Sequence, residues 1–153
     1  MAECCGGGTK LIYSCAGSAD VGEIADRVTR RLRDEGYAIM TCLAGVGAGL
    51  SGFVQSAIGA DENITFDGCK VACAKKTLER IGVHPRSYIL TNLGLEKHET
   101  PVTEKIVNEV LEKIKKAGDF SAPAPQTTNG GCCGGEALID IKTDCLKLKE
   151  IIV

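Results

Sequence analysis

Tryptophan is absent from the chain, and only three Phe and three Tyr stand among its 153 residues. A stacking platform for bases is therefore missing. No basic stripe replaces it, because 18 Lys and Arg face 20 Asp and Glu for a formal net charge of -2. A nucleic-acid partner is not expected. Histidine is scarce too: there are two, His84 before Pro85 and His98 within Glu96-Lys97-His98-Glu99. Both read as solvated, and neither suggests a Ser-His-Asp or Cys-His nucleophile pair. A basic start followed by an apolar stretch and a small-residue cleavage site is also lacking. So is a continuous aliphatic run of spanning length. Ala38 to Ala60 holds 23 residues without a charge, and Gly45 with Gly49 forms GxxxG, but five Gly plus Thr, Ser and Gln interrupt it. A buried strand, a glycine loop and a helix account for those letters better than a membrane span does. The expectation is a cytoplasmic chain without membrane contact, in which the sequon Asn63-Ile64-Thr65 is incidental.

Cysteine and glycine are abundant, at nine and nineteen residues. In a reducing compartment, an odd number of Cys reads as thiols rather than as a disulfide framework. Hydrophobic residues make up 44% of the chain, which rules out wholesale disorder. The length suits one compact domain. Residues 10–118 alternate strand and helix. Leu11 to Cys15, Ala38 to Leu43, Ile64 to Phe66 and Ser87 to Leu93 read as strands. The first helix opens at Asp20 with Glu23 in a capping-box arrangement, buries Val21, Ile24, Ala25, Val28 and Leu32, and stops at Gly36. Gly45 to Ser51 is a loop into a small-residue helix reaching about Ile58. A further helix spans Cys69 to Ile81. Thr100 caps the last one, with Pro101 at its first position and Gly118 at its end. Such alternation implies an α/β three-layer sandwich with a mostly parallel four-stranded sheet. Residues 1–9 read as a Cys/Gly-rich tail, 119–135 as a flexible linker with a Cys pair, and 136–153 as an added strand or hairpin.

In a parallel sheet, ligands sit outside the carboxyl ends of the strands. Cys15 follows the first strand, Cys42 lies near the end of the second, and Cys69 comes just past the third. Cys73 follows Cys69 by four residues and shares its face on a helix. Four thiols can then converge on one point, the ligand set of a closed tetrahedral zinc site with sulfur about 2.3 Å from the metal. Cys69 at a helix N-terminus would also favour its thiolate. Taken singly, each Cys reads equally as core packing, Cys42 above all.

These residues form a familiar set. Ser14-Cys15-Ala16-Gly17 with Asp20-Val21-Gly22, Met40-Thr41-Cys42-Leu43-Ala44, and Asp67-Gly68-Cys69 followed by Cys73 resemble the DGC-type family, named for Asp-Gly-Cys. The resemblance covers roughly Lys10 to Lys116. It implies a metal-binding role, assigned to zinc by inference and without an established reaction. It points to Cys15, Cys42, Cys69 and Cys73 as ligands, with Asp67 as a supporting or switching group. The accessory thiols Cys4, Cys5, Cys132 and Cys133 fall outside that pattern. They suit soft metals, disulfide exchange or nothing at all.

Alternatives stay open beside the zinc reading. A thiol enzyme or sulfur carrier would use Cys69 as attacker and Cys73 as resolving thiol, acting on a small thiol or sulfur-containing ligand. An iron-sulfur protein would use the same four ligands. Asp67-Gly68 reads equally as plain turn chemistry. Gly47-Ala48-Gly49-Leu50-Ser51-Gly52 spells GxGxxG, with Asp67 twenty residues after Gly47, which are elements of a dinucleotide fingerprint. That motif follows the second strand rather than the first, and helix packing is its default reading.

Overall fold

Strand β1 (Lys10–Ser14) is the axis of the molecule. Its Leu11, Ile12 and Tyr13 are all buried, as expected of a parallel strand covered on both faces. The computed structural model describes residues 8–118. The tail up to residue 7, the expected linker at 119–135 and the expected extension at 136–153 lie outside the described residues, as do Cys4, Cys5, Cys132 and Cys133. Four strands form one parallel sheet in the order β2-β1-β3-β4. They are β1, β2 (Ile39–Met40), β3 (Glu62–Asp67) and β4 (Arg86–Ile89). Tyr13 lies opposite Thr65 and Ser14 opposite Phe66 in the central pair.

Helix α1 (Asp20–Asp34) and helix α5 (Glu104–Ala117) cover one face. Val21, Ile24, Val28, Leu32, Val107, Val110 and Ile114 pack there against Ile12, Ile64 and Phe66. Helices α2 (Leu43–Gly47), α3 (Ser51–Gly59) and α4 (Cys73–Glu79) cover the other, where Val46, Ala57 and Leu78 meet Leu11 and Tyr13. The three-layer α/β expectation holds, with all four strands parallel. The connection after β1 runs outward to β2, and the next one returns across β1 to β3. The order therefore reverses between β1 and β3, and their carboxyl ends open the crevice where such sheets bind ligands. No helix among the described residues is long and apolar enough to cross a membrane. The uncharged stretch 38–60 is divided among β2, α2 and α3.

Several boundaries differ from the sequence expectation. The second strand is two residues long instead of six, because Cys42 turns the chain into α2 by accepting a bond from the Gly45 N–H. The expected loop after it is therefore helical through Gly47. The fourth strand ends at Ile89, and Leu90–Leu93 form a 3-10 turn. Thr103, not Thr100, caps α5, its hydroxyl accepting from the Ile106 N–H at 3.3 Å, so Pro101 precedes the helix. No side chain caps α1. Asp20 instead accepts N–H bonds from Val21, His98 and Thr100, and Glu23 pairs with Arg27 at 2.7 Å. Gly36 does end α1, in the left-handed region at φ 75.

The largest shift concerns α4, which starts at Cys73 rather than Cys69. Residues 69–72 form a tight turn closed by the Ala72 N–H on the Cys69 carbonyl at 3.0 Å. Ala72 sits in the left-handed region, at φ 53 and ψ 52. That conformation costs a non-glycine residue about 1–2 kcal/mol. Ala72→Gly relieves the strain but loses a methyl worth about 0.8 kcal/mol and adds unfolded-state freedom worth about 0.5–1 kcal/mol. The net change expected in urea unfolding is within about 0.5 kcal/mol of zero. Ala74→Gly in the adjacent helix has no strain to relieve and is expected to cost about 1–2 kcal/mol.

Candidate functional site

At the crevice, Cys15 extends the central ladder by donating its N–H to the Phe66 carbonyl at 2.9 Å. Its half-buried sulfur lies near the Gly17 and Gly68 N–H groups, which favour its thiolate. Burial pushes the Cys15 thiol up, and the neighbouring Cys73 and Asp67 push it further, while the two N–H groups pull it back. A thiol, a second thiol and a carboxylate thus share one electrostatic neighbourhood.

Asp67, the last residue of β3, is fully buried. Its Oδ1 accepts from the Ala74 N–H at 2.8 Å and its Oδ2 from the Lys75 N–H at 3.1 Å. These are free N–H groups of the first turn of α4, whose own cap position, Ala72, offers no side-chain bond. The carboxylate therefore caps the helix from outside it. Burial raises the Asp67 carboxyl; the two N–H groups and the charges of Lys75 and Lys76 oppose that rise. Asp67 does more than make a turn: it fixes where Cys73 begins its helix.

Gly68 lies against the start of α1. A Cβ built there falls 2.6 Å from the Val21 carbonyl carbon and 2.7 Å from the Gly22 nitrogen. The close approach brings the Gly68 N–H to the Cys15 sulfur. It also explains the residue better than turn chemistry alone.

The remaining thiols occupy separate settings. Cys73 is exposed at the first position of α4. Cys69 is partly buried and packs against the α1–α5 core. It is not on a helix, so the expected shared face of Cys69 and Cys73, and the helix-end activation of Cys69, are absent. Cys42 is exposed, and its sulfur accepts from the Gly45 N–H at 3.3 Å. The structure brings Cys15, Cys73 and Asp67 together, and places Cys69 and Cys42 on the loops after β3 and β2. Among the described residues, no group of three or more His, Cys, Asp and Glu is spaced to hold a metal ion. The donor chemistry of Cys15 and Cys73 suits a soft cation, whereas a full tetrahedral set is not preassembled.

Two features escaped sequence reasoning. The Gly17 and Gly68 N–H groups are backbone and carry no letter of their own. Asp20 pins the loop at His98–Thr100 through main-chain N–H groups, across 78 and 80 residues of sequence. The GxGxxG run lies across the α2–α3 junction, with Leu43–Gly47 already helical, so the strand-turn-helix context of a dinucleotide loop is missing. An open groove of about 440 Å³ beside β2, lined by Leu11, Ile39, Met40, Thr41 and Ser56 among others, contains no thiol or titratable side chain.

Comparison with known proteins agrees with the motif reading. The chain is 34% identical over 88 residues to the anaerobic and virulence modulator AnvM of Pseudomonas aeruginosa, an overlap covering 57% of this chain and 67% of that protein. No solved structure matches it. The model of the DGC domain matches residues 11–114, a span that takes in Cys15, Cys42, the buried cap Asp67, the tightly packed Gly68, Cys69 and Cys73, and on that match the chain belongs to the DGC-domain family.

Proposed function

We propose that this protein binds a soft metal ion, zinc, at a thiolate centre whose nucleus is Cys15 and Cys73, with Cys69 and Cys42 as the further ligands. The observation that carries this reading is the gathering of Cys15, Cys73 and Asp67 at the sheet's reversal point, where the charges of Cys73 and Asp67 disfavour the Cys15 thiolate. A cation inverts that balance: what repels as two thiolates and a carboxylate becomes a binding site. A bound zinc ion would hold the thiols deprotonated. With four thiolates its role is structural or for storage; with three it keeps a place for water or a small thiol. The relative AnvM is named a modulator, and carried to this chain that word favours a regulatory role over a metabolic one.

The test is the metal content of the full chain purified without oxygen. The expected result is a colourless protein with about one zinc per chain, and occupancy lowered at least about tenfold in Cys15→Ser and in Cys73→Ser. Full loading of the double variant would reject the assignment. A brown protein would replace zinc with an iron-sulfur cluster on the same ligands. Fully reduced protein that retains no metal would overturn the reading altogether.

A further inference from the structure

Cys15 and Cys73 lie 58 residues apart in sequence, yet main-chain bonds tie their neighbours along β3 to one place. Cys15 is bonded through its N–H to the Phe66 carbonyl at 2.9 Å, and its sulfur lies near the Gly68 N–H. Asp67, between those two residues, is bonded to Ala74 and Lys75, immediately after Cys73. Cys73 is exposed and Cys15 is half-buried. That is the arrangement of an accessible thiol backed by a resolving one. The other described thiols are differently occupied: Cys69 packs into the α1–α5 core, and Cys42 is bonded to α2.

We infer that Cys73 and Cys15 form a reversible dithiol–disulfide couple oxidised by a hydroperoxide. The Cys73 thiolate attacks the peroxide O–O bond. A sulfur–oxygen bond forms, the O–O bond breaks, and the departing hydroxide or alkoxide takes a proton. The Cys15 thiol then attacks the Cys73 sulfur. The S–S bond forms, the S–O bond breaks, and hydroxide leaves with the Cys15 proton as water. Two thiols supply the two electrons that reduce the peroxide, and an external thiol returns the pair to its starting state. The pair differs from Cys69 with Cys73, because α4 begins at Cys73 and Cys69 faces another core. The inference deepens the thiolate-centre reading and rests on it only for one consequence: oxidation removes two ligands and discharges the ion.

Trypsin separates the alternatives cleanly. Cys15 falls in Leu11–Arg27, Cys73 in Val71–Lys75, and both Cys42 and Cys69 in Asp34–Lys70. The full chain is reduced without oxygen, its zinc content is measured, and the metal-free form is titrated with hydrogen peroxide, alkylated and digested. The expected product is Leu11–Arg27 linked to Val71–Lys75, reversed by dithiothreitol. In Cys15→Ser, the exposed Cys73 is expected to stall as a sulfenic acid trapped by dimedone. Val71–Lys75 linked to Asp34–Lys70 instead, or Cys73 surviving as a free thiol under excess peroxide, overturns the couple. The cross-link appearing in protein that never held zinc supports the couple and removes the metal reading alone. Zinc-loaded protein that forms the cross-link and releases the ion supports both.

Discussion

Asp67→Ala is expected to lower the unfolding free energy by about 2–4 kcal/mol, since it strips the acceptor from two N–H groups in the first turn of α4, each worth about 1–3 kcal/mol when left unpaired. The bonds concerned are those to Ala74 and Lys75. The figure stays at the lower part of the summed range because the buried carboxylate carries a desolvation cost that alanine does not. Asp67→Asn keeps one acceptor and is expected to lose less. Urea unfolding measures both. The deficit also has a pH signature in metal-free protein. The folded carboxyl is raised above its unfolded value, by burial first, so ionisation weighs on the folded state. The stability that Asp67 confers is full below the unfolded value and declines as pH rises through the raised folded one. Asp67→Ala lacks that titration, so its deficit relative to the parent is greatest in acid and narrows toward neutrality. A loss below about 1 kcal/mol, far short of two unpaired N–H groups, with the Cys15–Cys73 cross-link still forming, would show that the helix start is held by something else.

Gly68→Ala is the second large effect, expected at about 3 kcal/mol, the upper part of the usual overpacking range. Its Cβ falls within 2.7 Å of three atoms, the Val21 carbonyl carbon and oxygen and the Gly22 nitrogen. All belong to the backbone at the start of α1 and cannot swing aside as a side-chain tip would. Either α1 or the end of β3 must shift, and the Gly68 N–H then leaves the Cys15 sulfur. The substitution is therefore expected to lower stability, and with it the metal retention proposed above. Gly52→Ala is the control: it lies in α3 with nothing within 4 Å of its Cβ. There the better helix former is expected to gain about 0.5–1 kcal/mol. Equal thermal midpoints for the two variants would refute the close-packing argument.

The α/β alternation was legible because its signals are local. Leu11 to Tyr13 form an apolar run, Val21 to Leu32 recur at helical spacing, and Gly36 stops the helix where its letter says it should. Cys15, Cys42 and Cys69, which follow the first three strands, could be placed for the same reason. Asp67 caps α4 from β3, a bond that no periodicity reveals, so sequence signals alone place the start of α4 at Cys69, four residues too early. Cys42 ended β2 by capping α2 through its sulfur, a use of cysteine that propensity does not anticipate. Thr103 and Thr100 are three residues apart, and each has a hydroxyl able to cap α5. The geometry of the preceding turn, where Thr100 bonds to Glu96, decides between them. Gly68 was singled out as a turn residue, while its contact with Val21 required the sheet to be in place.

Because the start of α4 is anchored to β3 by a carboxylate rather than by the residues just before it, the segment 69–71 is mechanically bypassed. An extra residue or two inserted at Lys70 or Val71 would bulge outward while Cys73 kept its place at the start of α4, fixed through Ala74 and Lys75 to Asp67, and only Cys69 would be displaced. Loop length there is accordingly a free variable that sets one sulfur's reach without disturbing the other three.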